Sequence, residues 1–221
     1  MLKSGLEFFI ENMKTEDFKA KRILEIGSKN VNGSIRPLIQ NFSTPKEYIG
    51  VDVSSGNMVD LVLPVEKIAI HFGVESFDLL ISTELLEHVE DWRVAIQAMK
   101  ATVKRGGYIA ITTRSKGFGY HGYPFDFWRY EIEDIKKIFS DFEIIVLKKD
   151  YEAPGVFLIA KKPENYVSAD LSDIALYSIV LGKNIKNSVN IEKMPFKRKF
   201  VIKIFEIGYI IKSKTVAAAK I

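Results

Sequence analysis

Arg22-Ile-Leu-Glu-Ile-Gly27 leads into Ser28-Lys-Asn-Val-Asn-Gly-Ser34, and Tyr48-Ile-Gly-Val-Asp52 follows after a short stretch of helical character. Strand, glycine turn, helix, strand and acid in that order frame a pocket of nucleotide size. A buried strand that stops at glycine lets backbone approach a ligand with no side chain in the way. The next strand ends in a carboxylate about 25 residues on, within reach of a ribose. A dinucleotide fingerprint needs glycines at the first, third and sixth positions of the turn. Gly27-Ser-Lys-Asn-Val-Asn32 supplies only the first.

The remaining chain alternates strands and helices. Apolar residues at Leu6, Phe9, Ile10 and Met13 give an N-terminal helix. Strands are read at 23–27, 46–53, 59–63, 77–82 and 108–113, and helices at 91–104 and 131–140. Ser34 is a candidate N-cap, with Pro37 in the first turn of the helix behind it. Gly106-Gly107 is read as closing the 91–104 helix and opening the strand after it. Segments 142–149 and 155–161 form an antiparallel pair. The fold class is therefore α/β: a doubly wound, mainly parallel seven-stranded sheet with an antiparallel last strand.

Glu25, two residues before Gly27, is the discriminating detail. It resembles the opening motif of the class I S-adenosylmethionine-dependent methyltransferases. Phe77-Asp-Leu-Leu-Ile-Ser-Thr-Glu-Leu-Leu-Glu-His-Val-Glu-Asp91 resembles the fourth-strand segment of their type 11 small-molecule members, and Val103-Lys-Arg-Gly-Gly-Tyr-Ile-Ala-Ile-Thr-Thr113 their fifth strand. The resemblance spans about residues 20–160. It departs from the family turn at Lys29 and Val31, where glycines are usual, and it has no acid in the usual place after the third strand. Glu66 and Asp60 are weak candidates for that role.

The resemblance implies S-adenosylmethionine as cofactor. Glu25 would anchor its amino group, Gly27 and Ser28 would pass their backbone close to its methionine part, and Asp52 would accept both ribose hydroxyls. Val53 and Met58 could flank the adenine, although both are as easily core. Thr83 and Glu84 sit at the carboxyl end of the fourth strand, the edge at which open α/β sheets bind ligands.

Glu84 and His88 stand four apart, and His88 and His121 are the candidate general bases for an acceptor hydroxyl. A divalent metal on Glu84, Glu87 and His88 is conceivable. Carboxylate–imidazole pairs at this spacing are usually plain surface neighbours, so no metal is expected. The segment His121-Gly-Tyr-Pro-Phe-Asp-Phe-Trp-Arg-Tyr130 packs five aromatics beside His, Asp and Arg. Tyr123, Asp126, Trp128, Arg129 and Tyr130 are expected to face the substrate, with a packed hydrophobic lid as the plainer alternative.

Composition limits the partners. Net charge is −3 over residues 1–160 and +7 over 161–221, for the overall +4. The basic character therefore lies in the tail, and a nucleic-acid surface over the catalytic part is not expected. There is no cysteine, hence neither disulfide nor thiolate metal site. With no signal-peptide pattern and no long apolar run, the expected location is cytoplasmic.

Two domains are expected. Residues 1–162 bind cofactor, with 1–20 an N-terminal helix, and residues 163–221 form a basic, apolar, helical extension. The extension would dock on the domain, join two subunits, or touch an anionic membrane peripherally. The expected function is methyl transfer to a hydroxyl or other heteroatom of a small molecule or glycan. The alternatives are a non-catalytic scaffold on the same fold and a nicotinamide-dependent reductase.

Overall fold

The computed structural model describes residues 3–122 and 126–187. Seven strands form the main sheet: β1 (Arg22–Ile26), β2 (Glu47–Asp52), β3 (Leu61–Val62), β4 (Phe77–Thr83), β5 (Val103–Arg114), β7 (Glu143–Lys149) and β8 (Gly155–Lys161). Their spatial order is β3-β2-β1-β4-β5-β8-β7. Neighbours among β1 to β5 pair in parallel, while β8 runs antiparallel to both β5 and β7. The chain moves outward from β1 in one direction and resumes at β4 on the other side. This places a topological switch point between β1 and β4.

The central strands β1, β4 and β8 are buried on both faces, as a strand sequence such as Arg22-Ile-Leu-Glu-Ile26 requires. Alternate residues feed two cores. Leu24, Ile26, Leu80, Ile109, Ile111 and Leu158 meet helix α5 (Trp92–Thr102) on one side. Ile23, Leu79, Ile81, Ala110, Phe157 and Ile159 meet helix α1 (Lys3–Asn12), helix α2 (Thr15–Phe18) and helix α3 (Arg36–Phe42) on the other. Helix α4 (Ile68–Phe72) and helix α6 (Ile132–Ile138) complete the layers among the described residues. Asp91 caps α5, its carboxylate accepting from Val94 N at 3.2 Å. At α3 the Ser34 hydroxyl accepts from Arg36 N at 3.1 Å.

Two sequence expectations need correction. Gly106-Gly107 does not close α5, which ends at Thr102. The pair lies inside β5, at a register shift opposite Phe77 and Leu79. Gly106 has φ +72°, and a Cβ on Gly107 would fall 2.8 Å from Asp78 O, so both positions demand glycine.

The second correction concerns the extension expected from residue 163. Over 163–187 it is not helical. It supplies β9 (Leu176–Ser178) and β10 (Lys183–Ile185), which join β6 (Trp128–Arg129) in a small antiparallel sheet. Leu171 and Leu176 belong to the same core as β4 and β5, so no structural boundary falls at 162. Residues 188–221, on which the basic apolar stretch falls, lie outside the described residues. Among the described residues, no helix is long and apolar enough to cross a membrane.

Candidate active site

Register creates the site. Ile26 lies beside Val51 on one flank and Ser82 on the other. The next residue of each strand is therefore Gly27, Asp52 or Thr83, and all three reach the same carboxyl edge together. Gly27 N and Ser28 N both donate to Val51 O, at 2.9 and 3.0 Å, which turns the chain sharply away from β1. Gly27 has φ +74°, and a Cβ there would meet the Leu85 side chain at 3.2 Å. Only glycine fits without strain.

A crevice of about 640 Å³ opens at this edge, within the range of small-molecule sites. Its wall contains Glu25, Gly27, Ser28, Asp52, Val53, Thr83 and Glu84, and farther along Leu85, His88, Arg114, Phe118 and His121. All seven residues expected to contact the cofactor and both candidate bases thus share one cavity. Val53 is 68% exposed and offers an apolar wall. Met58 and Asp60 stand outside. Asp60 pairs with Arg36 at 2.7 Å and accepts from Gly50 N at 2.7 Å, a structural role. Glu66 lies in a one-turn 3₁₀ helix and does not line the crevice.

The acids differ in environment. Glu25 is 1% exposed, and burial pushes its carboxyl up to about 7; the Tyr48 hydroxyl, which donates at 2.9 Å, and the Arg36 charge pull the other way. Asp52 is partly exposed and accepts from Lys29 N at 3.3 Å, Ser54 N at 3.0 Å and the Ser54 hydroxyl at 3.2 Å. Glu84 has φ +55°, a left-handed backbone rare for a side chain of its size. Burial and the neighbouring Glu87 charge push its carboxyl up to about 7, while its ion pair with the Arg114 guanidinium opposes them.

Arg114 is the main residue that sequence reasoning missed. It closes β5, is 3% exposed, and holds Asp150 at 3.1 Å as well as Glu84. Its guanidinium lies 4.5 Å from the centroid of the Phe118 ring. An arginine at a strand end carries no local pattern; its ion pair with Asp150 depends on Gly155 of β8, which pairs with Arg114 on one side and accepts from Asp150 N on the other.

His88 and His121 come from different loops, and their ring centroids are 4.8 Å apart. The turn bearing His88 is clamped by the aromatic segment. Trp128 Nε1 donates to Val89 O at 3.0 Å and Glu90 O at 3.1 Å, the Tyr130 hydroxyl to Leu86 O at 3.2 Å, and Phe127 N to Glu87 O at 2.8 Å. The four described residues of the expected acceptor wall do not line the crevice. Trp128 and Tyr130 are 1% and 0% exposed, part of the core.

Arg129 spends its donors internally. It gives two bonds to Asp126, at 2.5 and 2.9 Å, and others to Phe118 O at 3.1 Å and Gly119 O at 2.8 Å. The Arg129 and His121 partners hold the Asp126 carboxyl near 2 despite its burial. These residues support the site from behind because their polar atoms found backbone partners. Tyr123 lies outside the described residues.

Comparison with known proteins agrees with this fold. Residues 3–147 match a family model described as "Methyltransferase domain". No curated protein matches the chain in sequence. Solved structures share the fold. One is Burkholderia thailandensis 1,6-didemethyltoxoflavin-N1-methyltransferase with bound 1,6-didemethyltoxoflavin and S-adenosylhomocysteine. It is 12% identical, with TM-score 0.56 over 73% of this chain and 77% of that one. A second is an S-adenosylmethionine-dependent methyltransferase from Mesorhizobium loti, 14% identical with TM-score 0.54, covering 72% and 98%. A third, Haemonchus contortus phosphoethanolamine N-methyltransferase 2 with S-adenosyl-L-methionine, is 16% identical with TM-score 0.52, covering 72% and 52%.

Proposed function

This chain belongs to the methyltransferase-domain family and is an S-adenosylmethionine-dependent enzyme, and from that premise we propose that it methylates a hydroxyl or other heteroatom of a small-molecule or glycan acceptor. The observation that carries this reading is a single crevice with acids and bare main chain at one end and two imidazoles at the other.

The residues present suit the cofactor. Glu25 would receive its ammonium group, the side-chain-free surface at Gly27 its methionine part, Asp52 its ribose diol and Val53 one face of its base. An ionised carboxylate such as Asp52 has acceptor sites for both ribose hydroxyls and no donor to repel them. When bound, S-adenosylmethionine supplies a methyl group already activated on a sulfonium.

The protein's part is then alignment and exclusion of water. A bond forms between acceptor heteroatom and methyl carbon as the carbon–sulfur bond breaks, and sulfur keeps the electron pair. An acceptor hydroxyl also loses its proton, and in this reading His88 and His121, which both line the crevice, are the candidates to accept it. Phe118, Arg114 and His121 give the acceptor end one aromatic wall and a few polar groups, a composition typical of sites that orient a small polar ligand.

The test is calorimetric titration with S-adenosylhomocysteine, followed by incubation with S-adenosylmethionine and pools of hydroxylated small molecules and oligosaccharides. Micromolar binding and a methylated product found by mass spectrometry are expected. Absence of binding by the intact protein overturns the cofactor assignment. Methylation confined to a macromolecule overturns the acceptor class.

A further inference from the structure

We propose that Glu87, His88 and His121 bind one divalent transition-metal ion at the acceptor end of the crevice. Among the described residues these three place one ligand atom each within 4.8 Å of one another. Zinc–nitrogen distances of 2.0–2.1 Å put tetrahedral ligand atoms about 3.4 Å apart. The three ligand atoms therefore have to draw somewhat closer together to close around an ion.

Glu87 supplies the second, independent observation. It is 0% exposed, and its Oε2 accepts from the Thr113 hydroxyl at 2.8 Å. Its Oε1 is buried with no hydrogen-bond partner. A buried carboxylate oxygen with no donor is costly and calls for an explanation. His121 Nε2, at 3.8 Å, points toward it but stands too far for a hydrogen bond. A cation between the two satisfies both.

His121 is oriented as a ligand would be. Its Nδ1 lies 3.1 Å from Asp126 Oδ2, and its backbone N donates to the same oxygen at 2.9 Å. Arg129 donates to both oxygens of Asp126, so the carboxylate has only acceptor capacity to offer the ring. The proton belongs on Nδ1, which leaves the Nε2 lone pair facing Glu87. A carboxylate behind a ligating imidazole is the usual support of a metal site. Glu84 is excluded from the ligand set by its pairing with Arg114.

Ligand chemistry narrows the ion. Two imidazoles and one carboxylate suit Zn²⁺, Mn²⁺, Fe²⁺ or Co²⁺, rather than Mg²⁺ or Ca²⁺ with their preference for all-oxygen shells. Three protein ligands leave positions open toward the crevice, which His88 and His121 both line. An oxygen of the acceptor would occupy one of them, its proton made more acidic by the ion, which then takes over the activating role of the two imidazoles whose lone pairs it engages. That use rests on the methyltransferase reading above; binding of the ion does not. The spacing of Glu84, Glu87 and His88 in sequence lacks this site because His121 arrives from a separate loop.

The test uses the full chain stripped with a chelator and titrated with Zn²⁺, and separately with Mn²⁺, by calorimetry. Co²⁺ is added in parallel and followed by its visible absorption. One equivalent should bind with micromolar or tighter affinity, and cobalt d–d bands should appear. His121→Ala and Glu87→Gln should each weaken binding at least about 100-fold. Asp126→Asn, which keeps all three ligands but removes the carboxylate behind His121 and beside buried Arg129, should weaken it about 10–100-fold. Unfolding temperatures of the variants establish that they fold.

No stoichiometric binding to the intact protein, or binding indifferent to His121→Ala and Glu87→Gln, overturns the proposal. Titration of the same preparation with S-adenosylhomocysteine separates the two readings. Cofactor binding without metal binding sinks only this inference, and metal binding without cofactor binding sinks only the methyltransferase reading.

Discussion

Burial decides the charge of Glu25, and that charge bears on cofactor capture. Its carboxyl titrates near 7, above the 4.5 of a solvated glutamate, because desolvation outweighs the Tyr48 and Arg36 contributions. Between those values the folded state holds a proton that the unfolded chain has released, so folding stability falls as pH rises across the window. An arriving ammonium group favours the ionised form. S-Adenosylhomocysteine affinity is therefore expected to rise as pH passes from about 6 to about 8, and Glu25→Gln should flatten the profile. Calorimetric titrations across that range check it; equal slopes in both proteins would remove Glu25 from the amino-group role. Asp52→Ala should weaken the same ligand about 10–100-fold, as loss of charge-assisted hydrogen bonds worth about 1.5–3 kcal/mol predicts. Its unfolding temperature should change little, because the bonds it gives up are at the surface. Gly27 and Asp52 were legible in sequence because strand length and register bring them to one edge, and Glu25 because an acid two residues before the glycine resembles a family motif. Arg114 and Phe118 were not, since their place depends on a pairing between distant strands.

The segment 126–130 works at the scale of an element, as a clamp on the turn that carries Glu87 and His88. Its aromatic richness reads in sequence as a substrate wall, yet an aromatic residue has the same local signature in a wall and in a core. Only the partners of Trp128 Nε1 and the Tyr130 hydroxyl distinguish them, and both find backbone carbonyls of residues 86–90. Trp128→Phe keeps most of the apolar volume and deletes the donor that buried Val89 O and part-buried Glu90 O accept from. A loss of about 1–3 kcal/mol is expected. For a chain of this size that corresponds to a fall of roughly 3–10 °C in Tm, measurable by circular dichroism. An unchanged Tm would mean that those carbonyls find water instead. Gly106-Gly107 teaches the same lesson. A glycine pair after a helix suggests a cap, and the tertiary close approach to Asp78 O makes it a kink within β5.

At the scale of the whole molecule, the segment past residue 162 completes the core that the main sheet leaves open. Leu171 and Leu176 are 1% and 0% exposed, and Arg93 donates to Leu171 O at 2.9 Å. Asp141, which pairs with buried Lys100 at 2.6 Å, also accepts from Ala169 N at 3.0 Å. Desolvation lowers the Lys100 ammonium and the Asp141 partner raises it. Asp141→Ala would strand that ammonium without a counter-charge, left with Ile138 O and the faces of Phe139 and Phe142, at an expected cost of about 3–5 kcal/mol, read from denaturant unfolding. Composition shifts at residue 161 toward positive charge, and this made the segment look separable. The shift reflects residues beyond 187 more than those that pack. Leu176→Ala decides between the two organisations. A docked but independent extension would leave the main calorimetric transition in place. A segment integral to the core would lose about 2–5 kcal/mol on this truncation and move a single transition down by about 5–15 °C. The second result is expected, because Leu176 shares its cluster with Leu80, Ile109 and Leu158 of the central strands, and a cavity opened there is felt by the sheet that positions Gly27, Asp52 and Thr83.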